Sequence, residues 1–147
     1  MAEIQYLDTE LMEKMCHPIA VDIFDTKEDP ISKFDDRQHS LLDSALNLPK
    51  ATFGGKDLYP TLINKATILF YALNKNHPFK NGNKRIALVS LLVFLYINDY
   101  WLDAGKEEMF KKTLYVAESK SEDRGRVFKH IQFWISSHLV SLTENNA

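Results

Sequence analysis

The sequence has little of what would classify it quickly. Cys16 is its only cysteine. That excludes an intrachain disulfide and a cysteine zinc cluster, and fits a reducing compartment. Net charge is −2 over 147 residues, with no block of one sign. This argues against a nucleic-acid binder that works by neutralising phosphates. The longest apolar run, "IALVSLLVFLYI" from Ile86 to Ile97, falls short of the ~18 residues that cross a bilayer. The N-terminal "MAEIQYLDTE" is acidic and lacks the apolar core of a leader peptide. The expectation is a cytoplasmic protein with no membrane and no nucleic-acid partner. There are no internal repeats, no low-complexity stretch and no strand-rich alternation.

What is present is apolar residues at helical spacing. At 45% hydrophobic, residues 1–147 suffice for a single domain with one core. Asp8 and Thr9 cap a first helix expected to run to about Cys16 and to stop before Pro18. Residues 19–34 read as loop, with solvated acids at Asp25, Glu28 and Asp29. A second helix starts at Asp35 or Asp36, carries Leu41, Leu42, Ala45, Leu46 and Leu48 on one face, and ends at Pro49. Gly54-Gly55 marks a turn inside "PKATFGGKDLYP", and Pro60 suits the first position of a helix reaching about Asn76. Residues 86–97 are apolar all round, which predicts that the helix over 84–98 is central and buried on every side. Helices over 103–119 and 126–139 follow. Residues 140–147 are expected to fray. The class is all-α, with one small hairpin at about 49–58.

The chemistry collects in "NHPFKNGNKRIAL", residues 76–88. Asn81-Gly82-Asn83 is a turn signal, and Asn83 is a good N-cap. A helix N-terminus offers free N–H groups and positive potential, so Lys84 and Arg85 there are misplaced unless an anion binds. A phosphate suits them, because Arg offers a planar fork and Lys a point charge. His77 enters from the other side as a general base for an attacking hydroxyl. Phe79 is the expected anchor of the loop. His17-Pro18 repeats the dipeptide without the turn and reads only as a helix stop. "GGK" is no P-loop: its first Gly would fall at Lys50, and Asp57 stands where Ser or Thr is needed.

"HPFKNGNKR" resembles the long signature of the Fic/Doc superfamily, and "ALNLPKATFGGKDLYPTL" resembles its flap region. The resemblance implies an all-α Fic/Doc-type bundle around a buried central helix, an active-site loop at 77–85, and His77 as base. It assigns the phosphates of ATP to Gly82, Asn83, Lys84 and Arg85. Lys84 and Leu88 stand where adenylyltransferases of the superfamily usually carry Gly and a second Arg. The pattern is closer to the Doc (death-on-curing) branch, in which the γ-phosphate faces the His. That implies a bacterial toxin that phosphorylates a Ser or Thr of a translation factor such as elongation factor Tu, restrained by a separate antitoxin. Protein adenylylation and a silent binding module are the alternatives; intact His77 counts against the module. Thr52, Phe53 and Gly54 become a docking edge for the target, by strand addition. Mg²⁺ is implied as well, but Asn81 replaces a frequent acid and offers only a neutral oxygen. An inhibitory helix would need Thr9 and Glu13 followed by Gly or Asn, and Lys14 follows instead. Ser141, Glu144 and Asn145 miss that spacing by one.

Overall fold

The computed structural model describes residues 3–143. Its elements run α1 (Thr9–Leu11), a π turn (Met12–Cys16), α2 (His17–Phe24), α3 (His39–Asn47), β1 (Thr52–Phe53), β2 (Lys56–Asp57), α4 (Leu62–Asn76), α5 (Asn83–Ile97), β3 (Tyr100–Leu102), α6 (Lys106–Glu118), α7 (Arg124–His138) and β4 (Leu139–Ser141). Short 3₁₀ turns occupy Phe34–Asp36, Leu48–Lys50 and Ser121–Asp123. This is the expected all-α class with a small hairpin.

α5 is the axis. Ile86, Ala87, Leu88, Val89, Leu91, Phe94 and Leu95 are buried around its whole circumference. It packs chiefly on α4, and also on α2, α6 and the π turn. Burial of this apolar surface is the main force holding the bundle together. Cys16 is buried where the π turn meets α5; its thiol is pushed up to about 11 by desolvation, which leaves it inert.

The first helix does not stop at Pro18. Thr9 to Phe24 is one continuous helical run, and residues 19–24 are helix rather than loop. A proline inside an α-helix removes one N–H and presses on the carbonyl four residues back. Here the turn just before it is π-type, and the N–H of His17 reaches the carbonyl of Met12, five residues back. That widened turn absorbs the proline. His17 is therefore not a stop. Its Nε2 lies 2.7 Å from the carbonyl oxygen of Ser32.

Other boundaries moved for local reasons. Asp35 and Asp36 lie in a 3₁₀ turn, and α3 begins at His39. Pro60 precedes the helix instead of opening it: Thr61 is the N-cap, its Oγ1 accepting from the N–H of Asn64 at 3.0 Å. A second, long-range strand pair was missed. β3 pairs antiparallel with β4, placing Trp101 opposite Val140, so residues 140 and 141 belong to a strand and are not frayed. The expectation for 144–147, including Glu144 and Asn145, lies outside the described residues.

The first hairpin turns through Gly54 (φ 60°) and Gly55 (φ 78°), the left-handed values a two-residue loop of this kind needs. Its base is tied down by Lys65, a lysine only 2% exposed. The Lys65 ammonium donates to the carbonyl of Pro49 at 3.1 Å and to Asp57 Oδ2 at 3.3 Å. So the hairpin is fastened to the first turns of α4. Lys65 and His77 are 12 residues apart in the sequence, about 18 Å along a helix.

Candidate active site

α4 ends because His77 takes left-handed backbone angles, φ 49° and ψ 57°. That conformation is uncommon outside glycine, and it turns the chain sharply. Pro78 and Phe79 then dive into the core while His77 stays exposed. Phe79 is 4% exposed, its ring 6.0 Å from that of His17 and 5.9 Å from that of Phe34. Its burial packs this part of the loop against the core.

Asn83 has a different task from the one expected. The N-cap of α5 is Gly82, and no side chain caps that end. Asn83 instead closes the loop on itself. Its Oδ1 accepts from the N–H of Phe79 at 2.9 Å, and its Nδ2 donates to the carbonyl of Phe79 at 2.7 Å. The misreading has a simple cause: Asn is favoured both as a cap and as a donor–acceptor pair inside loops. The first bond within α5 runs from the N–H of Ile86 to the carbonyl of Gly82. The N–H groups of the first helical turn lack intrahelical acceptors by construction, and α5 has no acid in that turn.

The loop is stitched down from outside as well. Ser32 donates twice to the carbonyl of Asn81, from its N–H at 3.2 Å and its Oγ at 3.0 Å. The Oγ also accepts from the N–H of Asn81 at 3.2 Å. Gly82 has φ 95°, and a Cβ there would meet Ile31 Cγ1 at 3.0 Å. The glycine is needed for close approach to the protein's own chain.

Arg85 is only partly available to a ligand. One terminal nitrogen donates to the carbonyls of Phe24 at 3.0 Å and Asp29 at 2.7 Å. The other lies 3.4 Å from Asp29 Oδ1. Five donors on a guanidinium leave some over for an anion. Asn81 turns its amide outward, donating from Nδ2 to Asp29 Oδ1 at 2.7 Å and to the carbonyl of Pro30 at 2.5 Å.

A cavity of about 460 Å³ opens here. The structure brings His77, Asn81, Gly82, Asn83, Lys84 and Arg85 together in its lining. Five further residues line it: Lys80, and Phe110, Thr113 and Leu114 of α6, which were not singled out from the sequence, and Asp29, which was read only as a solvated loop acid. Phe110 and Leu114, four residues apart on one helix face, are exposed apolar side chains; the composition of α6 did not mark them out. Asp29 carried no signal beyond a run of loop acids. Thr52, Phe53 and Gly54 are not part of the lining. Phe53 is 81% exposed at the hairpin.

The cavity is cationic on one wall and apolar on the other. Lys80, Lys84 and Arg85 face a single acid, Asp29. Among the described residues no group of three or more His, Cys, Asp or Glu could hold a metal. A divalent cation fits only where substrate phosphates supply most of its oxygens, with Asp29 as the protein's carboxylate. Among the described residues no helix is long and apolar enough to cross a membrane.

The sequence model of the Fic/DOC family matches residues 3–95. Over 68 residues the chain is 44% identical to "Toxin Doc" of Mycolicibacterium smegmatis, covering 46% of this chain and 52% of that protein. The matched stretch thus spans about half the length of that relative. No solved structure matches the chain. The family match runs through α2, the 25–38 segment, α4 and nearly all of α5, the parts that frame the loop, and the chain belongs to the Fic/DOC family.

Proposed function

We propose that this protein is a Doc-like toxin that moves the γ-phosphate of ATP onto a Ser or Thr hydroxyl of a target protein. One observation carries the reading: an exposed histidine and an uncapped, cation-bearing helix N-terminus share one cavity. The cationic wall suits phosphates, and Phe110 and Leu114 give the apolar surface that the rest of a nucleotide needs. The similarity to a relative named as a toxin supports the same branch.

In this mechanism His77 takes the proton of the target hydroxyl as its oxygen attacks the γ-phosphorus. The bond to the β–γ bridging oxygen breaks, and its electron pair leaves with ADP. Lys84, the free donors of Arg85 and the N–H groups of the α5 first turn stabilise the charge spread over the phosphoryl oxygens. Mg²⁺, when bound, neutralises part of the polyphosphate charge.

Leu88 favours phosphoryl over adenylyl transfer. It stands where adenylyltransferases of the superfamily carry a second arginine, and it is 2% exposed in the core. That position supplies no charge to hold an extended triphosphate with its α-phosphate at His77. The target is by resemblance a translation factor, elongation factor Tu in the related branch. Its docking edge is assigned to Thr52, Phe53 and Gly54.

The restraint is assigned to a separate antitoxin, since α1 and the π turn serve as core scaffold: Met12 and Cys16 are fully buried. Expressed alone in a bacterium, the wild-type chain is expected to arrest growth, and co-expression of its partner to restore it. The partner is expected to be short and to order on binding. Normal growth, with the chain present and active on the cell's own target, would contradict the toxin reading.

A further inference from the structure

Three acids precede the motif's neighbour Ile31, and the fold gives two of them different tasks. Asp25 Oδ1 accepts from the N–H of Ile31 at 2.7 Å and so closes the 25–31 loop. Asp29 faces the cavity. Its Oδ1 accepts from Asn81 Nδ2 at 2.7 Å and lies 3.4 Å from Arg85. The residue that replaces the frequent acid of the motif is thus in direct contact with a carboxylate from another segment.

The contacts of Asp29 divide into two sets. Its main-chain carbonyl, with that of Phe24, holds Arg85 in place. Its carboxylate adds an ion pair whose acidic side chain is 67% exposed, and such pairs contribute little. The carboxylate is thus held by the Asn81 amide and this exposed pair, while the main-chain carbonyls keep Arg85 fixed. A phosphate that reaches Arg85 meets this negative charge at the same edge. Two anions there repel unless a cation lies between them. Mg²⁺ is commonly held by one or two carboxylates together with substrate phosphates, and Asn81 Oδ1 adds a neutral oxygen nearby.

We infer that Asp29 supplies the carboxylate that position 81 lacks, so that the cavity takes a polyphosphate paired with a divalent cation of the Mg²⁺ class. The inference rests on the nucleotide reading of the cavity and adds the residue that makes binding depend on the cation. Asp29 repels the bare polyphosphate and attracts the cation-loaded one.

The test is calorimetric binding of ATP to the full chain, once with Mg²⁺ and once with a chelator, without any target protein. The wild type is expected to bind the Mg²⁺-loaded form at least ~10-fold tighter, about 1.4 kcal/mol. Asp29→Asn keeps an oxygen for Asn81 and Arg85 but loses the charge. It should bind metal-free ATP more tightly than the wild type does, and the ratio should fall toward one. Adding Asn81→Asp to Asp29→Asn should restore the ratio, because the acid returns at the neighbouring position. Asp29→Ser, read the same way, serves if the first variant does not fold. An unchanged ratio in a folded variant, with both forms weakened alike, would overturn the inference and leave Asp29 as a tether of Arg85. A wild-type ratio of one would overturn it too. If the wild type binds no ATP in either condition, the nucleotide reading itself fails and the role of Asp29 with it.

Discussion

Replacing His77 by alanine is expected to abolish transfer almost completely while sparing the fold and nucleotide binding. The side chain is exposed at the cavity, so its loss opens no hole in the core. What is lost is the proton acceptor for the attacking hydroxyl. General-base contributions start at ~10²-fold, about 2.7 kcal/mol of barrier. The left-handed backbone at His77 (φ 49°) tolerates few side chains well, so His77→Asn is the better control: Asn adopts that conformation readily. Both variants should unfold near the wild-type temperature, bind ATP within a few-fold of wild type, and transfer at least ~10²-fold more slowly. Near-normal turnover in either would remove His77 from the chemistry.

The second large effect is expected at Arg85, where one guanidinium serves both the fold and the ligand. Arg85→Ala strands the carbonyls of Phe24 and Asp29 and removes the ion pair to Asp29. Hydrogen bonds from a charged donor contribute about 1.5–3 kcal/mol each, part of which is recovered when water reaches the carbonyls. A loss of about 2–3 kcal/mol is expected, which for a chain of this size lowers the melting temperature by roughly 5–10 °C. Affinity for ATP should fall by ~10- to 100-fold from the lost phosphate contacts. Arg85→Lys keeps the charge but not the planar fork. It should recover part of the affinity and little of the melting temperature. If melting alone shifts and affinity does not, Arg85 is a structural tether and the phosphates are held by Lys84 and the helix N-terminus.

The sequence disclosed what depends on local pattern. The all-round apolar run predicted α5 as the buried axis, because no face of Ile86–Leu95 could be left in water. Gly54-Gly55 predicted the hairpin because only glycines take two successive left-handed angles at no cost. The motif named the loop and its cations. What it did not disclose depends on contacts between distant segments. The passage of the first helix through Pro18 required a π turn, which leaves no mark in residue types. β3 and β4 are three residues each, with 36 residues between Leu102 and Leu139, too short for alternation to register. Asp29 and Lys65 read as an ordinary loop acid and an ordinary surface lysine. Each acquires its task only when the fold brings a partner: Asn81 in one case, Pro49 and Asp57 in the other. The motif residues that line the cavity were thus legible in the sequence, and the contacts that hold them there were not.

The central claim is that the terminal phosphate moves. The purified chain is incubated with its target and ATP labelled either at the γ-phosphate or at the α-phosphate, and label on the target is counted. With Leu88 buried in the core, and with Lys80, Lys84, Arg85 and the α5 N-terminus gathered on one wall for phosphate, the γ label is expected on a Ser or Thr and the α label is not. Label from the α-phosphate on the target would contradict the account and make this an adenylyltransferase.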